Sequence, residues 1–431
     1  MKLCELKKIV ADGGLDAKFS AECGISADMM ENHRARVLGA AEEFGKLYDP
    51  AGERDVFLYS VGGRSEISGN HTDHNYGRVI AASINLDIIA IAAAREDGVV
   101  AVKSEGFPED VVPASAADAP DESKFFTSAS IIAGMERAML DAGFKVGGFD
   151  AYTTSNVLKG SGLSSSAAFE VMIGNIISHM YNDGKVDNVE IAKMAQFAEN
   201  KFFGKPCGLM DQTACAVGGF ITIDFADPAA PVINKMDFDL TAKGYSLCIV
   251  NTGGNHADLN ADYASVPAEM KAVAAEFGRP VLRGLTAEDI VKKIPELREK
   301  VGDRAIMRAM HFIAENDRVA AQVAALEADD TAAFLDGVIA SGNSSYKYLQ
   351  NVFTTKNVEE QGLSLALCLT ENKLAGTGAA WRVHGGGFAG TIQAFVPTEL
   401  AEDYRAYIDG VFGEGSCYIL SVRLAGATRL A

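Results

Sequence analysis

AYTTSNVLKGSGLSSSAAFEVMIGNIISHMY, Ala151 to Tyr181, is the most informative stretch of the 431-residue chain. Phe169, Met172, Ile173, Ile176, Ile177 and Met180 recur at three- and four-residue intervals. That spacing predicts a helix that starts near the serines, which are good N-cap residues. The order is therefore strand, glycine loop, helix. Gly160, Ser161 and Gly162 are small enough for backbone to approach an anion. The helix start adds unpaired amides and the positive end of a dipole. Gly160 to Ser166, with Leu163, Ser164 and Ser165 between, is thus a candidate phosphate cradle. It is not a Walker loop, since GxxxxGK[ST] is absent, nor a GxGxxG dinucleotide fingerprint. A glycine turn with serine caps and no ligand reads the loop equally well on its own.

On the N-terminal side, MMENHRARVLGAAEEFGKLYD has helical spacing and leads through a Pro-Gly turn into VFLYSVGG, a strand ending at Gly63. VIAASINLDIIAIAA and the residues after EDG read as further strands, and SIIAGMERAMLDAGF as a helix ended by Gly143. On the C-terminal side come a helix, VEIAKMAQFAENKFF, and a strand, GGFITIDF. Beyond residue 245 follow a strand, YSLCIVN, helices between 286 and 376, and late strands at TIQAFV and CYILSV. Strands and helices mix without regular alternation, which predicts α+β domains and not a doubly wound sheet. Two domains are expected, residues 1–235 and 236–431.

Composition narrows the function. With 48% hydrophobic and 23% charged residues the chain is an ordinary folded protein. A net charge of -19 disfavours nucleic acid and anionic lipid as general partners. The start has no apolar run of signal-peptide length, and the apolar run after Val79 is interrupted by Asn85 and Asp87. Seven scattered cysteines without a CxxC pair read as reduced thiols. A cytoplasmic protein is expected; its oligomeric state is open.

Three further stretches carry candidate chemistry. GGRSEISGNHTDHNYGRV, Gly62 to Val79, could bind a metal, hold a sugar or turn the chain. Glu199 shares a helix face with Ile191 and Ala195, so it either reaches solvent or needs a partner such as magnesium. Asp211, among Leu209, Met210 and Ala214, is either a helix cap or a base for a substrate hydroxyl. The glycines of WRVHGGGFAGTIQAF allow a hairpin or a close approach to a ligand.

Together, GRSEISGNHTDHNYG, GSGLSSSAAFEV and RVHGGGFAG resemble the three signatures of the GHMP small-molecule kinases, over about residues 45 to 420. Within that family the first motif and CGLMDQ are similar to the galactokinases, whose pattern runs close to GRVNLIGEHTDYNGG and PCGIMDQ. The resemblance implies a ribosomal-protein-like N-terminal domain and a ferredoxin-like C-terminal domain, with ATP and Mg2+ used to phosphorylate the anomeric hydroxyl of galactose. It implies sugar contacts from Arg64, Asn70, His71, Asp73, Gly208, Asp211 and Tyr263. It also implies Asp211 as the catalytic base assisted by Arg64, Glu199 and Ser165 at the metal, and Ser164 and Ser165 at the phosphates. Such a reaction depends mainly on positioning and charge neutralisation.

Several residues depart from that pattern. Asn70 stands where the family has a glutamate near the sugar's C6 hydroxyl, and an amide there would also tolerate a carboxylate. Galacturonate is therefore the chief alternative substrate. His74, Leu158 and Ala389 replace the usual tyrosine, proline and glycine, and FTSASIIAGM lacks the family's tryptophan and lysine. A non-catalytic sugar and ATP sensor fits less well, because the serines of the loop, Asp211 and Glu199 are all present. A metal hydrolase using His71, Asp73 and His74 would require a further ligand from elsewhere and leaves the loop unexplained.

Overall fold

The computed structural model describes residues 1–431 except 158–161, 206 and 255–258, and only the backbone at 260. Its centre is a long hairpin of β1 (Phe57–Ser68) and β2 (Arg78–Ala94). Side chains along these strands alternate between two helical layers, as strand geometry requires. Tyr59, Val61, Ile88, Ala90 and Ala92 face one core, whereas Leu58, Ile89, Ile91 and Ala93 face another. The second core is closed by helices Leu3–Ala11, Asp16–Cys23 and Met30–Tyr48. The first two of these have no counterpart in the sequence reading.

The sheet continues through β3 (Val99–Ser104), β4 (Glu109–Pro113), β5 (Phe149–Ser155), β6 (Phe220–Asp224) and β7 (Val232–Met236). Among the described residues, only the β3–β5 pairing is parallel. Helices Ser128–Asp141, Ser165–Tyr181, Asn188–Phe197 and Met210–Val217 cover the first core. A second sheet is formed by β8 (Tyr245–Asn251), β9 (Ala380–Val383), β10 (Thr391–Pro397) and β11 (Cys417–Leu420), in the order β11-β8-β10-β9 and antiparallel throughout.

Alternation ties this second sheet to the first. Leu247 and Ile249 of β8 join the same core as the first sheet, while Cys248 and Val250 face helices Gly362–Leu374 and Ala401–Phe412. Phe334 stands edge-on to both Phe220 of the first sheet and Phe395 of the second. The two sheets thus share apolar packing, and the fold is mixed α+β. The chain also returns: β12 (Thr428–Arg429) pairs with β1 opposite Tyr59 and Ser60. Asp87, the charge inside the apolar run, is fully buried and meets Arg36 and the returning Arg423. The arginines hold its carboxyl below the ordinary range despite burial.

Candidate active site

The site is assembled where β1, the residues after the glycine loop and the helix Met210–Val217 meet. Gly63 lets the loop lie against β1, since a Cβ there would fall 2.7 Å from the Leu163 carbonyl oxygen. The Arg64 amide donates to that carbonyl at 3.1 Å. The Arg64 guanidinium donates to the Gly162 carbonyl and reaches Asp211, with Nε 2.8 Å and Nη2 2.7 Å from Oδ1. Burial works against the arginine's charge, but Asp211 outweighs it and raises the guanidinium pKa.

Ser164 supplies the other contact. Its Oγ donates to Asp211 Oδ2 at 2.5 Å. The sequence reading placed this serine among N-caps. Its backbone is instead left-handed, with φ 57, and its side chain makes no cap, because the hydroxyl is turned to Asp211. Asp211 lies in the first turn of its helix and keeps 35% of its side chain exposed, so it is held but accessible.

Residues beside Asp211 line two cavities, although Asp211 is not itself among the lining residues of either. Its neighbour Met210 lines one of about 150 Å³, together with Glu66, His71, Asp73, His74 and Gly386. Ser165 and Ser166, next to Ser164, line a larger one of about 540 Å³ with Phe107, Ile131, Phe169 and Glu170. The smaller suits a sugar and the larger a nucleotide. His71 Nε2 lies 3.0 Å from the Gly386 carbonyl, and burial lowers the ring's pKa to about 4, so it is a neutral donor there. Asp73 Oδ2 lies 3.0 Å from where a Cβ on Gly208 would stand, so Gly208 leaves room for that carboxylate.

Two expected sugar residues are placed differently. Asn70 is fully buried and does not line the smaller cavity. Its amide donates to Glu66 Oε1 at 2.9 Å and to the Gly385 carbonyl at 2.7 Å, and its oxygen accepts from Asn351 at 2.7 Å. Those bonds use the hydrogen-bonding capacity that a sugar would need. Tyr263 packs behind the glycine turn, donating to the Gly387 carbonyl at 2.8 Å with its ring against Gly386 and Phe388. Gly160, Ser161 and Leu158 lie outside the described residues.

Glu199 is buried, but it is not alone. The helix Asn188–Phe197 widens into a π-type turn at Ala198–Phe203, and this turn carries Glu199 inward. Lys205 Nζ donates to its Oε1 at 3.1 Å and Gln212 Nε2 to its Oε2 at 2.8 Å. The same Gln212 amide reaches Glu170 Oε2 at 3.0 Å, while Glu170 Oε1 is buried without a partner. Burial first, then Glu199, pushes the Glu170 carboxyl well above the usual range. Glu170 lines the larger cavity with Ser165 and Ser166, and Glu199 shares Gln212 with it. This pair of carboxyls, one with an orphaned oxygen, fits a hard cation that keeps waters and phosphate oxygens as its other ligands.

Sequence reasoning missed Glu66, Glu170 and the support beneath the sugar motif. His311 and Glu315, one turn apart on helix Asp303–Glu327, hold that motif: His311 Nε2 is 3.0 Å from the Asn70 carbonyl and Glu315 accepts the Gly69 amide at 3.1 Å. Only the i, i+4 spacing of two polar residues hinted at it. Among the described residues, no third His, Cys, Asp or Glu joins His71 and Asp73 in a metal site.

Comparison with known proteins bears on the family and the fold. The model described as "GHMP kinases N terminal domain" matches residues 129–219, and the "Galactokinase galactose-binding signature" matches residues 42–94. A galactokinase of Streptomyces coelicolor is 30% identical, the match covering 90% of this chain and 97% of that protein. A galactokinase of Actinobacillus pleuropneumoniae serotype 3 is 32% identical over 86% of this chain and 92% of that one. In fold, the chain resembles Lactococcus lactis galactokinase complexed with galactose, with TM-score 0.75 and 24% identity over 91% of this chain and 100% of that one. It also resembles Methanococcus jannaschii mevalonate kinase, with TM-score 0.59 and 14% identity over 86% and 99%.

Proposed function

The chain belongs to the galactokinase family of GHMP kinases, and from that premise we propose that it transfers the terminal phosphoryl group of ATP to the anomeric hydroxyl of galactose. The observation that carries this reading is Asp211, held at its two oxygens by Arg64 and Ser164, with Met210 beside it lining the smaller cavity and Ser165, next to Ser164, lining the larger. A carboxylate so held accepts the proton of a hydroxyl in the smaller cavity, and the adjacent guanidinium offsets charge on the transferring group. His71, through the Nδ1 left unprotonated when Nε2 donates to Gly386, and Asp73 both offer acceptors to ring hydroxyls.

Magnesium belongs to the same reading. Glu199, Glu170 and Ser165 would hold the ion, which supplies charge neutralisation at the phosphates. The chain's own share is to orient the nucleotide against the start of helix Ser165–Tyr181 and to keep the aspartate in place. The protein is expected to act in the cytoplasm on a small sugar, without nucleic acid.

The test is incubation of the purified protein with ATP, magnesium and individual sugars, followed by product mass and phosphate position. Galactose 1-phosphate is expected. Product from galacturonate alone would move the reading to that sugar.

A further inference from the structure

Glu66 lines the sugar cavity, although nothing in its sequence position marked it. The register of β1 against β2 runs unbroken from Arg64 to Glu66, so both side chains leave the strand on one face, about 6.6 Å apart. Arg64 meets Asp211, whose neighbour Met210 lines the same cavity as Glu66. Glu66 therefore stands one strand repeat away, a separation comparable to the width of a sugar ring.

One oxygen of Glu66 is held from behind. Asn70 Nδ2 donates to Oε1 at 2.9 Å, and Arg382 Nη2 lies 3.5 Å from the same atom. Among the described residues, nothing donates to the other oxygen, and the side chain keeps 9% of its surface exposed. A carboxylate in that state accepts one hydrogen bond from whatever fills the cavity. The quoted family pattern has asparagine at position 66 and glutamate at position 70. In this chain the two residue types are exchanged, and the structure puts the carboxylate in the cavity and the amide behind it.

Resting on the galactose 1-kinase reading, we propose that Glu66 is the residue that selects a neutral hydroxyl on the side of the sugar away from the reacting carbon. Glu66 and Asp73 both line the cavity, and no lysine or arginine is among the described residues that do so. A hydroxyl is stabilised there and a substrate carboxylate is repelled. The expected galacturonate tolerance of Asn70 does not arise, because Asn70 is enclosed.

The experiment compares kcat/KM for galactose, 4-deoxygalactose, 6-deoxygalactose and galacturonate in the wild type and in Glu66→Gln. The wild type should prefer galactose over one of the two deoxy sugars by roughly ten- to hundredfold, the worth of one charge-assisted hydrogen bond. Glu66→Gln should lose that factor on galactose, lose nothing further on that deoxy sugar, and gain on galacturonate relative to galactose. An equal loss on galactose and both deoxy sugars, or no loss, overturns the proposal. So does a wild type that uses galactose and both deoxy sugars equally, a result that stands even if the variant fails to fold. A wild type that phosphorylates none of these sugars overturns the galactose reading itself.

Discussion

Arg64 and Ser164 hold Asp211 at opposite oxygens, Nε 2.8 Å from Oδ1 and Oγ 2.5 Å from Oδ2. One residue comes from the sugar motif and the other from the phosphate loop. The aspartate is thus held by both motifs, and its geometry depends on each.

Asp211→Asn keeps the shape and can keep one of these contacts, but it cannot accept the substrate proton. We expect kcat to fall by roughly 10²- to 10⁴-fold, the worth of general-base assistance. Binding of galactose and of ATP, measured calorimetrically, should change less than tenfold. Turnover near the wild-type rate would remove Asp211 from this role.

Glu170→Gln separates stability from metal use. The Glu170 pKa is higher in the folded chain than in the unfolded one, so the folded state binds more protons. Its contribution to stability is present at low pH and is lost as pH rises past the ordinary carboxylate range. At neutral pH without magnesium the glutamine should therefore raise Tm. The same variant, like Glu199→Gln, should need more magnesium for half-maximal rate. An unchanged magnesium titration in both variants would contradict the assignment.

His33 and His71 titrate in the opposite sense. Burial lowers both to about 4, so the unfolded chain takes up their protons first as pH falls below 6.5. Their stability is complete above 6.5 and is lost on acidification through about 4. The urea midpoint should decline between pH 7 and pH 5, and should decline less in His33→Phe.

The returning C-terminus serves the first sheet. Arg423→Met leaves Asp87 buried with Arg36 as its remaining charged partner. A loss of about 3 to 5 kcal/mol in unfolding free energy is expected from chemical denaturation. A loss below about 1 kcal/mol would show that Arg36 suffices.

Much of this was legible in the sequence because it rests on local spacing. The apolar positions from Phe169 to Met180 lie within helix Ser165–Tyr181, and the long run after Val79 became β2. Short or isolated elements were not legible: β12 is only two residues long and exists because β1 offers it an edge. Of the motif residues, Arg64 and Ser164 meet at Asp211, and His71 and Asp73 line one cavity. Glu66 and Asn70 could not be told apart in the sequence, because which of two nearby polar side chains faces a cavity depends on β1 and on the distant Gly385 and Asn351. Glu170 escaped notice because a glutamate in a helix usually reaches solvent.

The most direct test is phosphorus NMR of the product formed from galactose, ATP and magnesium. One equivalent of ADP per sugar consumed, with the phosphorus coupled to the anomeric proton, is the expected result. Phosphate on another carbon, or ADP release that does not depend on galactose, would contradict the account.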